Sequence, residues 1–555
     1  MISEQSWSMR SDRVDKKPRR EPPVDGQHRQ WELTMDFEDS SNKPLLQIDR
    51  RALLRGSIGL GVAGAVGRIV QPTAAFAQTP RRGGKFVAGV KSGSTTDTVD
   101  PTIMLSAASL FVSYQFGNRL LERTTDGKLA SELAESWEPS DSGKTWTFTL
   151  RKDVTFHNGK EFTAKDMVYS LNRHRGPDTK SGAAALMKAI KDIKVDGPYQ
   201  LTVTLSAPDV NFPYLMTNSS LIAQPEGEDP AKGIGTGPFV LDSEQPGVRY
   251  NFHRNPKYFR PEQPLFDELE ILVINDDTAR ISALLAGSTH FAAELTPNLI
   301  GRIKSSPAVK IDVADTTTFY YFVMQTNQAP FDNPDLRLAL KYAVDRDLIL
   351  KTTQAGYGTI GNDNPINSIY PLYSELPQHT YDPDKASFYY KKSGHSGAID
   401  LYTSESVFPG AVNAVEIFQQ TAAKAGITIN PKRVPHDGYW SDVWMKKPFC
   451  ASYFGSLATE DQAFTQPFAS DSPWNDGNWY RPDFDKLLAQ ARSEPDVEKR
   501  KALYHDAAKM VQEDAGHITL MFAAAINGLA KNVQGFVGDH FHGEAKNFAR
   551  CWFEA

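Results

Sequence analysis

Cysteine is almost missing from this chain: Cys450 and Cys551 are the only two in 555 residues. Two cysteines cannot build a four-thiolate zinc site or a disulfide-rich scaffold. A single bridge between them is left open, since it requires Cα atoms within about 7 Å. Beyond the first 78 residues there is no long Lys/Arg run, and the net charge is −6. The basic face of a nucleic-acid binder is therefore lacking. No Gly-x-Ser-x-Gly elbow, phosphate-cradling glycine loop or His-Glu-x-x-His pair occurs. Those absences remove the common signatures of hydrolase, NTPase and zinc-protease chemistry, so a non-enzymatic protein without cofactor or metal is expected. No stretch reaches the ~20 apolar residues that a membrane helix needs. The best run, 56–70, is interrupted by Arg68.

What is present is an ordinary globular composition, 40% hydrophobic and 23% charged, in a chain too long for one core, so two or three lobes are expected. Near the start, Asp49-Arg50-Arg51-Ala52-Leu53-Leu54-Arg55 has the form of a twin-arginine export motif. A Gly/Ala-rich apolar run follows, and then Ala75-Phe76-Ala77, a small-x-small site with cleavage expected before Gln78. No cysteine lies at that point to carry a lipid, so a soluble periplasmic product is expected. The polar, Pro-rich segment before it is long for a charged leader, and Met35 offers a simpler start.

From Arg81 onward, strand and helix patterns alternate without repeats or low-complexity tracts. Residues 85–90 read as a short apolar strand, and 145–150 (Thr-Trp-Thr-Phe-Thr-Leu) alternate as a half-buried strand should. A helix is expected over 164–173 with Thr163 as its cap, another over 336–350 after Asn333-Pro334, and a third over 497–514. Such a mixture implies an α/β or α+β protein.

Four stretches together resemble the peptide/nickel/opine class, family 5, of extracellular solute-binding proteins of ABC importers. The first runs from Leu133-Ala134-Glu135-Ser136-Trp137 through 145–154 and Phe156-His157-Asn158-Gly159 to 162–171. The second is Gly235-Thr236-Gly237-Pro238-Phe239 with Arg254-Asn255-Pro256-Lys257-Tyr258. The third joins Asn327, Pro330-Phe331, Arg337-Leu338-Ala339-Leu340 and Ala343-Val344-Asp345-Arg346. The fourth is Asp382-Pro383-Asp384-Lys385-Ala386 with 484–488. Most of these residues read as structural: Trp137, Trp146 and Phe148 as core anchors, Gly235 and Gly237 as turn glycines of positive φ, and Asp345-Arg346 as a solvated or capping pair.

The resemblance implies an α/β, two-lobed periplasmic-binding-protein fold with an additional N-terminal subdomain, its lobes joined by two crossing strands. The expected divisions are 1–77 for extension and signal peptide, 82–313 for lobe I (subdomain about 130–230), 314–521 for lobe II, and 522–555 for the return to lobe I. It implies a monomer that captures a small molecule or peptide and delivers it to a permease and ATPase complex. A nickel, metal-chelate, opine or oligosaccharide binder of the same fold is the alternative. A metal role would favour His or Arg in the pocket loop, and none lies between Phe449 and Trp479.

Peptide-binding members place an acidic residue after a central strand of lobe II. In this chain that loop contains Gly455-Ser456-Leu457-Ala458-Thr459-Glu460-Asp461, so Asp461 or Glu460 is expected to meet a cationic group. Tyr439, Trp440 and Trp474 are expected as aromatic walls with Asn475 as a hydrogen-bonding amide. Tyr320 and Phe322 would project from one face of the hinge strand by two-residue alternation, and Tyr114 would approach from lobe I.

Export by this route predicts a mature N-terminus at Gln78 in mass spectra of periplasmic protein. Replacing Arg50 and Arg51 with lysines should leave the precursor inside the cell, and a secreted double-lysine variant would contradict the assignment.

Overall fold

A computed structural model describes residues 79–104, 106–541 and 544–554; the export signal expected at 1–77 lies outside the described residues. The strand at Thr145–Leu150 forms as its alternation requires, with Trp146, Phe148 and Leu150 buried between half-buried threonines. It lies in a four-stranded antiparallel sheet with Ala134–Ser140, Gln200–Leu205 and Ile190–Gly197. The apolar face of that sheet packs on the helix Ala164–Asn172 around Phe148, Phe162, Met167 and Leu201. Thr163 and Asp166 close a capping box at the start of the helix, which satisfies two of its unpaired N–H groups.

A larger mixed sheet runs through the rest of the molecule. Its middle is the antiparallel pair Val309–Met324 and His517–Ala530, the two crossing strands. On one side the sheet continues through Phe291–Ala292, Lys85–Val90, Glu268–Val273, Arg249–Arg254 and Phe239–Gln245. On the other side come Phe449–Phe454, Ile399–Thr403 and Ile429–Arg433. The first side closes a core around Phe86, Phe116, Phe291 and Phe548. The second closes one around Phe319, Phe322, Phe418, Phe449 and Phe464. Residues from the far end of the chain complete the first core, since Phe548 packs on Phe86 with ring centroids 5.2 Å apart and Cys551 is buried in the same cluster.

Three expectations are corrected. The helix expected over 336–350 is two, Pro334–Ala343 and Arg346–Thr353, separated where Asp345 accepts the N–H of Leu348 and caps the second. Arg346 is accordingly not solvated. It is buried, donates to the Thr519 carbonyl of the second crossing strand (2.9 Å), and pairs with buried Asp363 at 2.6 Å. Gly235 and Gly237 are not among the positive-φ glycines. Close approach requires them: a Cβ would lie 2.0 Å from the Phe116 carbonyl oxygen at Gly235 and 2.4 Å from that of Gln115 at Gly237. This seats the loop against the end of the helix Ala107–Phe116, with the Gly237 N–H donating to the Phe116 carbonyl at 2.9 Å. The bridge left open by the sequence does not form: Cys450 and Cys551 are both free and buried, in different cores.

Asp363 also accepts the Thr519 N–H (3.1 Å) and lies 2.8 Å from His379 Nδ1. Removing it would strand the Arg346 charge in the interior. Asp363→Ala should therefore cost about 3–5 kcal/mol in denaturant unfolding, and a loss below ~1 kcal/mol would show that the pair is dispensable.

Candidate functional site

The strand Phe449–Phe454 ends in a loop, and the sequence after it decides what faces inward. Thr459 accepts the Gln462 N–H at 3.2 Å and caps the helix Glu460–Phe468. Glu460 and Asp461 are thereby drawn into the first helical turn, where negative charge complements the helix dipole. One helical face carries Gln462 and Gln466, four apart, toward a cavity. Asp461 points elsewhere: it pairs with Arg492 at 2.7 Å on the helix Pro482–Ser493. Glu460 is buried and accepts the Leu372 N–H at 2.6 Å. Burial pushes both carboxyls above the usual range. Neither lines the cavity.

The cavity, about 360 Å³, is walled by segments far apart in the chain. Leu110 and Tyr114 enter from the helix Ala107–Phe116, whose start is fixed by a Ser106–Ser109 capping box. Tyr214 and Leu215 come from the short helix Phe212–Leu215 and Asn218 from the turn after it. Ser456, Leu457 and Ala458 close the opposite wall, and Phe541 comes from the C-terminal segment.

Arg123, at the end of the strand Leu121–Arg123, is the only charged residue in this lining among the described residues. Its Nη1 donates across the cavity to the Ala458 carbonyl at 2.9 Å, and its guanidinium lies 3.6 Å over the Phe541 ring. Burial draws its pKa below the ordinary value, with Asp539 pulling the other way. Behind it is an annex of about 40 Å³ that shares Tyr114, Arg123, Thr217 and Phe541. Its floor brings together Arg119, Glu132, Asp539 and Lys546, with Lys546 2.6 Å from Asp539. Arg119 is buried, stacks 3.9 Å from the Tyr114 ring centre, and leaves its Nε without a hydrogen-bond partner.

Of the nine residues expected at the site, Tyr114 lines the cavity. Tyr439 is a core residue whose hydroxyl donates to the Ala451 carbonyl at 2.7 Å. Phe322 is buried against Phe418, and Tyr320 is stacked on Phe408 at 4.5 Å. The alternation argument failed at this strand because it is central: Phe319, Tyr321 and Phe322 are all fully buried, and the pairing shifts register between Tyr320 and Tyr321. Trp440 is exposed against Tyr453 and Trp444, and Trp474 is half exposed beside Phe454. Asn475 is buried and donates to three carbonyls, of Phe468, Ala469 and Trp479, so its amide serves its own loop. The sequence reading missed Arg123, Gln462, Gln466 and Phe541. A Thr-x-x-Gln capping signature at 459–462 could have exposed the helix and the two glutamines; no local signal marks Arg123 or Phe541. Among the described residues, no group of three or more His, Cys, Asp or Glu is placed to hold a metal ion, and no helix is long and apolar enough to cross a membrane.

Comparisons with known proteins agree with this architecture. The model of the bacterial extracellular solute-binding proteins, family 5 (middle), matches residues 128–476. Heme-binding protein A of Haemophilus influenzae is 28% identical over 491 residues, covering 80% of this chain and 88% of that protein. The glutathione-binding protein GsiB of Salmonella choleraesuis is 26% identical over 467 residues, covering 80% and 91%. The structure of HbpA2 from Haemophilus parasuis shares the fold with a TM-score of 0.76, at 22% identity over 85% of this chain and all of that one.

The geometry separates two neighbours in sequence. Asn475→Ala should destabilise the protein by about 1–3 kcal/mol through its orphaned carbonyls, while Trp474→Ala stays within about 0.5 kcal/mol. Chemical unfolding of the two variants checks this; the reverse order would place Trp474 in the packing.

Proposed function

Because this chain belongs to family 5 of the bacterial extracellular solute-binding proteins, we propose that it captures a small, peptide-like solute bearing an anionic group and presents it to an ABC permease and its ATPase. The observation that carries this reading is the cavity itself. It is walled from both sides of the crossing strands, is rich in amides and hydroxyls, and has Arg123 as its charged wall. Of the five donors of that guanidinium, one is committed, to Ala458. A carboxylate entering the cavity can take up others of them, and a charge-assisted hydrogen bond to a buried guanidinium is strong. The polarity is the reverse of the one expected from the 460–461 acids.

The relatives support the anionic reading, since heme and glutathione both carry carboxylates. The lobes would be 82–313 with 522–555, and 314–521, closing on the solute by hinge motion about the crossing strands. The chain would act as a soluble periplasmic monomer, exported by the twin-arginine machinery and cleaved after Ala77. A metal chelate with carboxylate ligands is the second reading, and Arg123 would hold it by the same chemistry.

Thermal shift followed by fluorescence titration, with glutathione, di- to tetrapeptides, opines, heme and nickel chelates, would identify the solute. Arg123→Gln should weaken the carboxylate-bearing solute by about 1.5–3 kcal/mol, roughly tenfold to over a hundredfold. The amide analogue of that solute should bind wild type and variant alike. Tight binding that ignores both changes would remove Arg123 from the site.

A further inference from the structure

The annex behind Arg123 contains a second buried cation, Arg119. Its Nη1 donates to the Gly117 carbonyl at 3.1 Å, and its Nη2 to the Ser113 hydroxyl at 2.8 Å and the Ser219 carbonyl at 2.7 Å. All three acceptors are neutral. Its Nε has no partner, and the guanidinium lies on the ring of Tyr114, which walls both the annex and the cavity. Arg123 repeats the pattern, with a neutral acceptor at Ala458 and the Phe541 ring against its guanidinium. A buried donor without an acceptor is costly, more so on a charged group, and marks a place for an absent partner.

The carboxylates of the annex are already committed. Glu122 is held by Arg260 at 2.8 and 3.2 Å, and Asp539 by Lys546 at 2.6 Å. Glu132 accepts Asn118 Nδ2 at 2.6 Å and the Arg119 backbone N–H at 2.9 Å. With the Glu122–Arg260 and Asp539–Lys546 pairs neutral, the guanidiniums of Arg119 and Arg123 face the single charge of Glu132. One positive charge is left over, which one further carboxylate would balance. The size agrees. One water needs about 10–15 Å³ of such space, so an annex of about 40 Å³ takes about three heavy atoms, the number in a carboxylate. No room is left for a substituent beside them. The rest of the molecule has to leave past Tyr114, Arg123, Thr217 and Phe541, the residues shared with the cavity.

We propose that the annex is the carboxylate end of the solute site, and that it selects solutes whose carboxylate is carried on an unbranched methylene, as in a C-terminal glycine or a propionate arm. Arg119 Nε takes one oxygen and Arg123 the other. This deepens the anionic reading of the cavity and rests on it. A branch at the carbon next to the carboxylate would fall in the throat, against the Tyr114 and Phe541 rings. An added methyl there has to displace packed side chains.

The two arginines report separately. With isotope-labelled arginine side chains, the Arg119 Nε–H resonance is identified by its Overhauser contact with the Tyr114 ring, and that of Arg123 by its contact with the Phe541 ring. Propionate and N-acetylglycine, used as probes, should shift both resonances to saturation, N-acetylglycine at the lower concentration because its amide reaches the cavity. Isobutyrate and N-acetylalanine each add one methyl at the branch point and should bind at least about tenfold more weakly. If Arg123 responds while Arg119 stays fixed, the annex is overturned and the anionic cavity stands. Two silent arginines would overturn both. Equal affinity for the branched and unbranched probes would overturn the selection. A response to propionate with none to N-acetylglycine would overturn the annex as the end of a larger solute's site.

Discussion

The pairing of Val309–Met324 with His517–Ala530 is the constraint on which the other features depend. It joins both apolar cores in one sheet, and elements from either side of it wall the cavity. The pairing is not uniform. It shifts register between Asp315 and Phe319 and again between Tyr320 and Tyr321. In the first irregular stretch the Thr316 hydroxyl donates to the Ala523 carbonyl at 2.7 Å, and the Asn367 amide reaches the Thr316 carbonyl at 3.0 Å. Side-chain bonds thus replace ladder bonds where the strands pass between lobes, which is where a hinge has to bend. Beyond it, Arg346 and Asp363 grip Thr519 from both its carbonyl and its N–H. The strand is held firmly on the side of the second core.

The electrostatics of the cavity follow from a helix cap more than from composition. Once Thr459 starts a helix, Glu460 and Asp461 are bound to the first turn, and each finds a partner inside its own lobe. The opposite wall supplies a cation. Arg123 bridges to the Ala458 carbonyl, a neutral acceptor, and the nearest carboxylate acting on it, Asp539, lies behind it in the annex and is already paired with Lys546. An incoming anion would complete that arrangement instead of breaking an ion pair, so little existing structure is sacrificed on binding.

The fold was largely legible in the sequence because its signals are local. The threonine alternation at 145–150, the Thr163–Asp166 cap and the Asn333-Pro334 start each act over a few residues. The 336–350 break was also local but hidden, since Asp345 looks like an ordinary helical residue until its side chain caps a new helix. The site was mostly illegible for the opposite reason. Arg123 and Ala458 are 335 positions apart, and Phe541 is further still. Only the closed chain brings them together. The loop tryptophan is exposed as its polar neighbours suggested, but the neighbouring amide is not: Asn475 uses its polarity to organise the loop and leaves Trp474 outside.

The return of the C-terminus to the first core has a consequence for the order of assembly. Phe86 and Ala88 share that core with Leu529, Val533, Phe548 and Cys551, so it cannot be finished until the last residues have left the ribosome. The second core is drawn almost wholly from 319–522. A nascent chain can therefore complete its second lobe while the first still waits for its missing strand and tail, the reverse of the usual N-terminal-first sequence. The first lobe would spend most of synthesis with apolar surface exposed. A chaperone that shields this protein would be needed longest at the end made earliest.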